Sequence, residues 1–187
     1  EMGGSAADDS LTIEQLERKN PYWGQPAVHE INKKFRKIID SYDDRIMAGE
    51  AWIPPLKRMA EWVRPGEYHQ AFNFDYMFAA WTKEGQRRSI EESLKEFGSV
   101  GAPSTWVLSN HDVIRHATRL AYNDGELPPQ GDGIGPDFRQ PDEALGLRRA
   151  RAASAFMLAL PGGAYIYQGE ELGLPEHSTL GGKFRQD

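Results

Sequence analysis

Thr105-Trp-Val-Leu-Ser-Asn-His-Asp-Val-Ile-Arg-His116 is the stretch on which the reading of this chain turns. Trp106-Val107-Leu108 is a short apolar run of the kind that forms a buried strand. It ends abruptly in Asn110, His111 and Asp112. Three adjacent hydrogen-bonding side chains at the end of a buried strand are costly unless something uses them. In a barrel of alternating strands and helices, that end of the strands is where chemistry is done. The competing reading is a loop in which Asp112 caps the next helix. Recurrence of the pattern elsewhere in the chain decides between the two.

The pattern recurs three times. Ile46-Met47-Ala48 ends in Gly49 and Glu50, with Trp52 close behind, before Pro54-Pro55 forces the chain out of regular structure. Ala71, Phe72 and Phe74 are strand-like, with polar groups from Asn73 and Asp75. Ala164-Tyr165-Ile166-Tyr167 ends in Gln168-Gly169-Glu170-Glu171. Helical patterns separate these runs. Residues 26–42 begin with Pro26 and set Val28, Ile31, Phe35, Ile38, Ile39 and Tyr42 on one apolar face. Leu56 to Val63 gives a turn or two of helix, closed by Arg64-Pro65-Gly66. Residues 86–97 are expected to bury Ile90, Leu94 and Phe97 and to stop at Gly98. Asp142 can cap a helix running to Leu160, ended by Pro161-Gly162-Gly163.

Strands alternating with helices predict an α/β fold with a parallel sheet and helical crossovers. Polar groups at every strand end predict one site on one face of that sheet. A closed barrel needs eight strands, and four are visible. An open sheet is the alternative, although no Gly-rich phosphate loop opens any helix. Half a barrel would leave two unpaired edges. The chain is therefore expected to be a fragment of a larger domain, and cooperative thermal unfolding of the chain as a monomer would count against that.

Composition narrows the function classes. The net charge of -6 argues against a nucleic-acid surface and gives no reason to expect an anionic membrane partner. There is no cysteine, so disulfides and thiolate metal sites are excluded, which suits a reducing, cytoplasmic compartment. No apolar run approaches the roughly 18 residues of a membrane span. Residues 1–25 read as a polar loop without a signal-peptide core, with a turn at Asn20-Pro21-Tyr22-Trp23-Gly24. Residues 120–141 read as a long Gly- and Pro-rich loop. Its aspartates at 124, 132 and 137 do not match a calcium-loop pattern and read as solvated turns.

Four motifs then carry a resemblance. Gly49-Glu50-Ala51-Trp52, Phe72-Asn73-Phe74-Asp75, Ser109-Asn110-His111-Asp112 and Tyr167-Gln168-Gly169-Glu170-Glu171-Leu172-Gly173 occur in that order. They resemble the second half of the catalytic barrel of glycoside hydrolase family 13, the α-amylase family. Val28-His-Glu-Ile31 through Glu50-Ala-Trp52, and Leu172-Gly-Leu-Pro-Glu176, are similar to the bacterial α-glucosidase and oligo-1,6-glucosidase branch. The resemblance implies that residues 1–187 are a partial (β/α)8 TIM barrel, about strands five to eight. The upstream half and a C-terminal β domain lie outside the chain.

It further implies roles. Glu50 matches the general acid/base, and Asp112 the carboxylate that grips sugar hydroxyls and stabilises the transition state. His111 matches the histidine bonded to the same sugar ring. Asn110, Arg115 and Trp52 join the substrate-binding set, with Arg115 orienting a neighbouring carboxylate. A retaining glycosidase keeps one carboxyl protonated, and Trp52 beside Glu50 is expected to supply the apolar surroundings. The nucleophile, an aspartate after the fourth strand, has no match in this chain. The implied activity is retaining hydrolysis of terminal α-linked glucose from maltose-like or isomaltose-like oligosaccharides. Neither cofactor nor metal is implied, and the chain alone is expected to be inactive. The alternatives are a trehalose-forming or other transglycosylating member, and a non-catalytic barrel-derived binding protein.

The remaining candidates have plainer readings. Asn73 and Asp75 read as structural residues, and Tyr165, Tyr167 and Phe156 as core. His29, His69, His116 and His177 have no evident partner in the sequence, and Glu170 and Glu171 read as loop-organising residues.

Overall fold

The computed structural model describes residues 24–123, 125–127 and 133–184. The aromatic turn expected before Gly24, and Asp124 and Asp132, lie outside them. The four expected strands are present in chain order, each two or three residues long. β1 (Ala48–Gly49) pairs in parallel with β2 (Gln70–Ala71), Ala48 opposite Gln70. β3 (Thr105–Val107) pairs in parallel with β4 (Gly163–Tyr165), Thr105 opposite Gly163. The Asn73 N–H donates to the Thr105 carbonyl at 3.1 Å and joins the two pairs.

Parallel neighbours need a crossover, and each crossover here contains helix. Before β1 lies α1 (Ala27–Ile39). α2 (Leu56–Glu61) connects β1 to β2. α3 (Phe74–Met77) and α4 (Lys83–Ser99) connect β2 to β3. α5 (His116–Arg119) and α6 (Glu143–Leu158) connect β3 to β4. Asp142 caps α6 as expected, its Oδ1 accepting the Leu145 N–H at 2.9 Å.

β3 is buried along its whole length, and alternation splits its side chains between two clusters. Trp106 and Leu108 join Tyr76, Ala153 and Met157. Val107 joins Leu56, Met59, Val63, Phe74 and Phe97 on the other side. The Trp106 indole N–H is satisfied by the Pro161 carbonyl at 3.0 Å. Its ring meets Tyr76 edge to face at 5.0 Å. Gly146 is what lets α6 seat against α5: a Cβ there would stand 2.1 Å from the Ala117 carbonyl oxygen.

Three expectations are corrected. Asn73 does not end a strand that runs through Phe74. It is the N-cap of α3, its side chain accepting the Tyr76 N–H at 3.1 Å and donating to Ser93 Oγ at 2.7 Å. The cap bond outweighs the apolar pattern. The competing reading of Asp112 as a helix cap is excluded in passing, because α5 starts later, with Arg115 at its N-cap. In α4 the buried row is Gly85, Ser89, Ser93 and Phe97, and the helix runs through Gly98 to Ser99, while Leu94 is exposed. Small residues let this helix approach closely, and Ser93 answers Asn73 there. Phe156, expected in the core, is exposed on α6.

The largest correction is α1. The helix exists, but its apolar stripe faces outward: Ile31, Phe35 and Ile38 are 48%, 49% and 57% exposed. Its inner face is polar, with Asn32 its buried residue. That face packs on Glu67, whose side chain is 1% exposed. Glu67 Oε2 lies 2.6 Å from His29 Nδ1 and accepts from Asn32 Nδ2 at 3.3 Å, and Arg64 Nη2 donates to Oε1 at 2.9 Å. Arg36 donates to the Glu67 carbonyl at 2.8 Å. A buried carboxylate left unpaired is strongly destabilising, so donors gather on it and fix which face of α1 turns inward. Exposed apolar side chains also cluster past the far strand, at Ile166, Leu172 and Leu174. Among the described strands, β1 and β4 each pair on one side only. Among the described residues, no helix is long and apolar enough to cross a membrane.

Candidate active site

The loops that follow β1 and β3 meet. Glu50 comes directly after Gly49, the last residue of β1, and Asn110 three residues after Val107, the last of β3. Asn110 Nδ2 donates to Glu50 Oε1 at 3.3 Å across 60 residues of sequence. Asn110 Oδ1 accepts the Asp112 N–H at 3.0 Å and so turns the chain back toward Glu50. His111 Nε2 lies 3.4 Å from Asp112 Oδ1. Ligand atoms of Glu50, His111 and Asp112 all lie within 4.8 Å of one another, and all three residues are exposed. Among the described residues this trio alone is close enough to share a cation.

A cavity of about 190 Å³ opens beside the trio. Glu50, Asn110 and His111 stand on its polar side; Phe72, Val107, Tyr165, Ile166 and Tyr167 form its apolar wall. Tyr165 is held by its hydroxyl, which donates to Gln70 Oε1 at 2.8 Å, and by an edge-on contact with Phe72 at 4.9 Å. Apolar walls with a few converging polar groups are the ordinary make-up of a small-ligand site. Tyr165 and Tyr167, expected in the core, are half-buried and line this cavity.

Two of the expected site residues stand elsewhere. Trp52 does not line the cavity. Its ring stacks on Phe74 at 5.9 Å and Phe78 at 5.5 Å. The apolar surface near Glu50 comes from Phe72, Tyr165 and their neighbours instead. Among the described residues the Arg115 guanidinium meets a carbonyl and a ring, not a carboxylate. Nη1 donates to the Gln168 carbonyl at 2.8 Å, and the group lies 4.9 Å over Tyr167. The Arg115 N–H donates to Glu176 at 3.3 Å. Arg115 therefore ties the loop after β3 to the loop after β4. Asp75, in the first turn of α3, does not line the cavity.

Below the trio lies a buried polar network that the sequence reading passed over. Ser109 Oγ accepts the His116 N–H at 2.9 Å and lies 3.2 Å from His116 Nδ1. His116 Nδ1 is also 3.0 Å from Glu170 Oε1, both side chains being 2% exposed. Glu170 Oε2 accepts the Tyr167 N–H at 2.9 Å. Ser154 Oγ of α6 stands 3.4 Å from His116 Nε2. Burial, the largest influence on Glu170, pushes its pKa up. Bonds and charge from His116, with help from Ser109 and the Tyr167 N–H, outweigh it and hold the carboxyl below its ordinary value. Arg119 completes the floor by donating to the Leu108, Ile114 and Met77 carbonyls at 2.6 to 3.0 Å. Burial lowers its pKa to about 10, opposed by Glu170, so it stays charged at neutral pH. Glu170 and Ser109 each sit in a motif already singled out; nothing in the sequence linked His116 to them. His29 and His69 also have partners after all, Glu67 and the Met47 N–H.

A larger groove of about 550 Å³ runs between α6 and the turn at Glu170–Leu172. Its acidic residues are committed, Glu170 to His116 and the Tyr167 N–H, Glu171 to the Gly169 N–H at 2.8 Å. The smaller cavity is therefore the one with carboxylate chemistry.

The family model described as "Alpha amylase, catalytic domain" matches residues 5–186. A "Trehalose synthase" of Pimelobacter sp. (strain R48) is 27% identical over 183 residues, covering 83% of this chain and 31% of that protein. A "Probable alpha-glucosidase" of Rhizobium meliloti (strain 1021) is 27% identical over 170 residues, covering 84% of this chain and 27% of that protein. The crystal structure of an alpha-glucosyl transfer enzyme, XgtA, is similar with a TM-score of 0.60 and 25% identity, over 81% of this chain and 24% of that one. The chain thus spans about a third or less of the length of the relatives it matches.

Proposed function

The chain belongs to the α-amylase family, as part of its TIM-barrel catalytic domain, and from that premise we propose that it is the half-barrel of about strands five to eight. The complete enzyme is then a retaining α-glucosidase that releases terminal α-linked glucose from maltose-like or isomaltose-like oligosaccharides. An upstream half-barrel and a C-terminal β domain complete it. The observation that carries this reading is the convergence of Glu50, His111 and Asp112 beside a cavity with an apolar wall.

In this reading Glu50 protonates the departing glycosidic oxygen and later takes a proton from the attacking water. Asp112 and His111 hold the sugar hydroxyls and strengthen their grip as positive charge develops on the ring. Asn110 orients Glu50, and Tyr165 and Tyr167 offer apolar surface to the sugar. The nucleophile comes from outside the chain. Spacing alone would permit another assignment: Glu50 and Asp112 stand about as close as an acid and a nucleophile must. We assign Asp112 as the stabiliser instead, and its place in the Ser109-Asn110-His111-Asp112 motif supports that assignment. The two assignments separate on the 187-residue chain itself, which is expected to release no glucose from maltose. Measurable release would overturn the assignment of Asp112.

Glu50→Gln in the complete enzyme tests the reading directly. Loss of general acid catalysis lowers turnover by about 10²–10⁴-fold, with the fold intact by circular dichroism. Near wild-type turnover of maltose and isomaltose would sink it. A transglycosylating or trehalose-forming enzyme is the second reading, favoured by the trehalose synthase relative. Product analysis with maltose separates the two, since hydrolysis gives glucose alone and transfer gives a rearranged disaccharide. A non-catalytic binding protein would have little need of both Glu50 and Asp112.

A further inference from the structure

We propose that His116 and Glu170 are positioning residues that set the orientation of Asn110, His111 and Asp112; what those three do to a sugar rests on the reading above. The argument begins with exposure. His111 and Asp112 have side chains 60% and 62% exposed, so their surroundings do little to hold them. Their orientation must come from the ends of the loop that carries them. One end is Ser109, the other His116, and both are buried. The Ser109 Oγ bond to the His116 N–H closes the loop. A hydroxyl is a hinge rather than a lock, because its proton can rotate to other acceptors.

Glu170 supplies the lock. With its carboxyl ionised, it stands with Oε1 3.0 Å from His116 Nδ1, a short electrostatic contact, and accepts the Tyr167 N–H on Oε2. Ser109 Oγ accepts the His116 N–H and stands 3.2 Å from Nδ1 of the same ring, so the imidazole is held between the hydroxyl and the carboxylate. The stretch from Ser109 to His116 is thereby tied to the loop after β4, and Tyr167 of that second loop lines the cavity. Ser154 of α6 backs the imidazole at Nε2. Arg119 fixes the carbonyls beneath without touching the loop's side chains. None of His116, Glu170 or Ser154 lines the Glu50 cavity, so each acts through other residues.

The test uses two readouts and three variants. His116→Leu removes both ring nitrogens. His116→Asn keeps a donor near the position of Nδ1. Glu170→Gln keeps the shape and an acceptor for the Tyr167 N–H but removes the charge. In the complete gene product carrying this chain, His116→Leu should lower kcat/KM for maltose by about 10–10²-fold, the scale of an ångström-sized misplacement. Most of the loss should fall in kcat, with Glu170→Gln intermediate and His116→Asn within about threefold of wild type. In the 187-residue chain, ¹⁵N relaxation should show Asn110–Asp112 loosened by His116→Leu and restored by His116→Asn. Unchanged turnover together with an unchanged loop would overturn the proposal. So would losses that track the unfolding temperature with no rescue by asparagine, since the role would then be merely structural. If the wild type turns over no α-glucoside, the functional reading fails, and the relaxation arm still decides positioning. Should His116→Leu not fold, Glu170→Gln carries both arms.

Discussion

Replacing Glu67 with glutamine should release α1 from the rest of the chain. Glu67 is buried at 1% exposure, and the inner face of α1 is held to it by His29 and Asn32, with Arg36 on its carbonyl. Apolar packing does little there, because the stripe of Ile31, Phe35 and Ile38 points outward. Glutamine keeps the volume, one acceptor oxygen and the backbone carbonyl. It loses the charge facing His29 and Arg64. Net hydrogen bonds to charged groups are worth about 1.5–3 kcal/mol each. Arg64 is 41% exposed and can turn to water, so its share is discounted to the surface value, below about 1 kcal/mol. His29 is 15% exposed and loses most of its bond. The sum is about 2–3 kcal/mol, concentrated on one helix. The assay is amide hydrogen exchange of the 187-residue chain. Exchange in residues 27–39 should speed up by about 30–150-fold, the equivalent of that free energy, with β3 amides unchanged. Wild-type protection of α1 in Glu67→Gln would refute the claim that a polar anchor, and not its apolar stripe, holds this helix.

The Glu170 carboxyl lies below its ordinary value of 4.5, so its contribution to stability is complete above that pH and is lost as pH falls through the lowered value. Acid unfolding followed by circular dichroism should therefore lose part of its slope below pH 4.5 in Glu170→Gln; an unaltered acid limb would contradict the assignment. Tyr76 is buried with a hydroxyl that has no hydrogen-bond partner among the described residues, and burial pushes its pKa up to about 12. Tyr76→Phe should accordingly leave stability unchanged or raise it by about 1 kcal/mol, measured by urea denaturation. A clear destabilisation would mean that the hydroxyl has a partner.

The order of strands and helices was legible because burial imposes it. β3 is hydrophobic on both faces and is buried on both, so a continuous apolar run was an accurate signal. The meeting of Glu50 with Asn110 and His111 was legible only through motifs, since no local rule connects residues 60 apart. Periodicity failed where a polar group outranked apolar area. In α1 the spacing located the helix and misassigned its inner face, because buried Glu67 lies 38 residues from His29 and gives no local sign of its depth. At Phe72-Asn73-Phe74 a strand pattern gave way to a cap, since Asn73 answers both the Tyr76 N–H and Ser93. Trp52 was placed by proximity in sequence, but its ring follows Phe74 and Phe78. His116 was passed over because its partners come from three different segments.

Arg119 grips the carbonyls of Met77, Leu108 and Ile114, all main-chain atoms. A brace of that kind is indifferent to which side chains the gripped residues carry. A substitution at Met77 or Ile114 that keeps their packing leaves the brace its acceptors, whereas replacing Arg119 by lysine forfeits the forked geometry that reaches several acceptors at once. The floor beneath the Asn110–Asp112 loop thus answers unevenly to substitution: changing Arg119 breaks three contacts at once, whereas changing the side chain of Met77, Leu108 or Ile114 disturbs that residue's own packing and leaves the brace its acceptor.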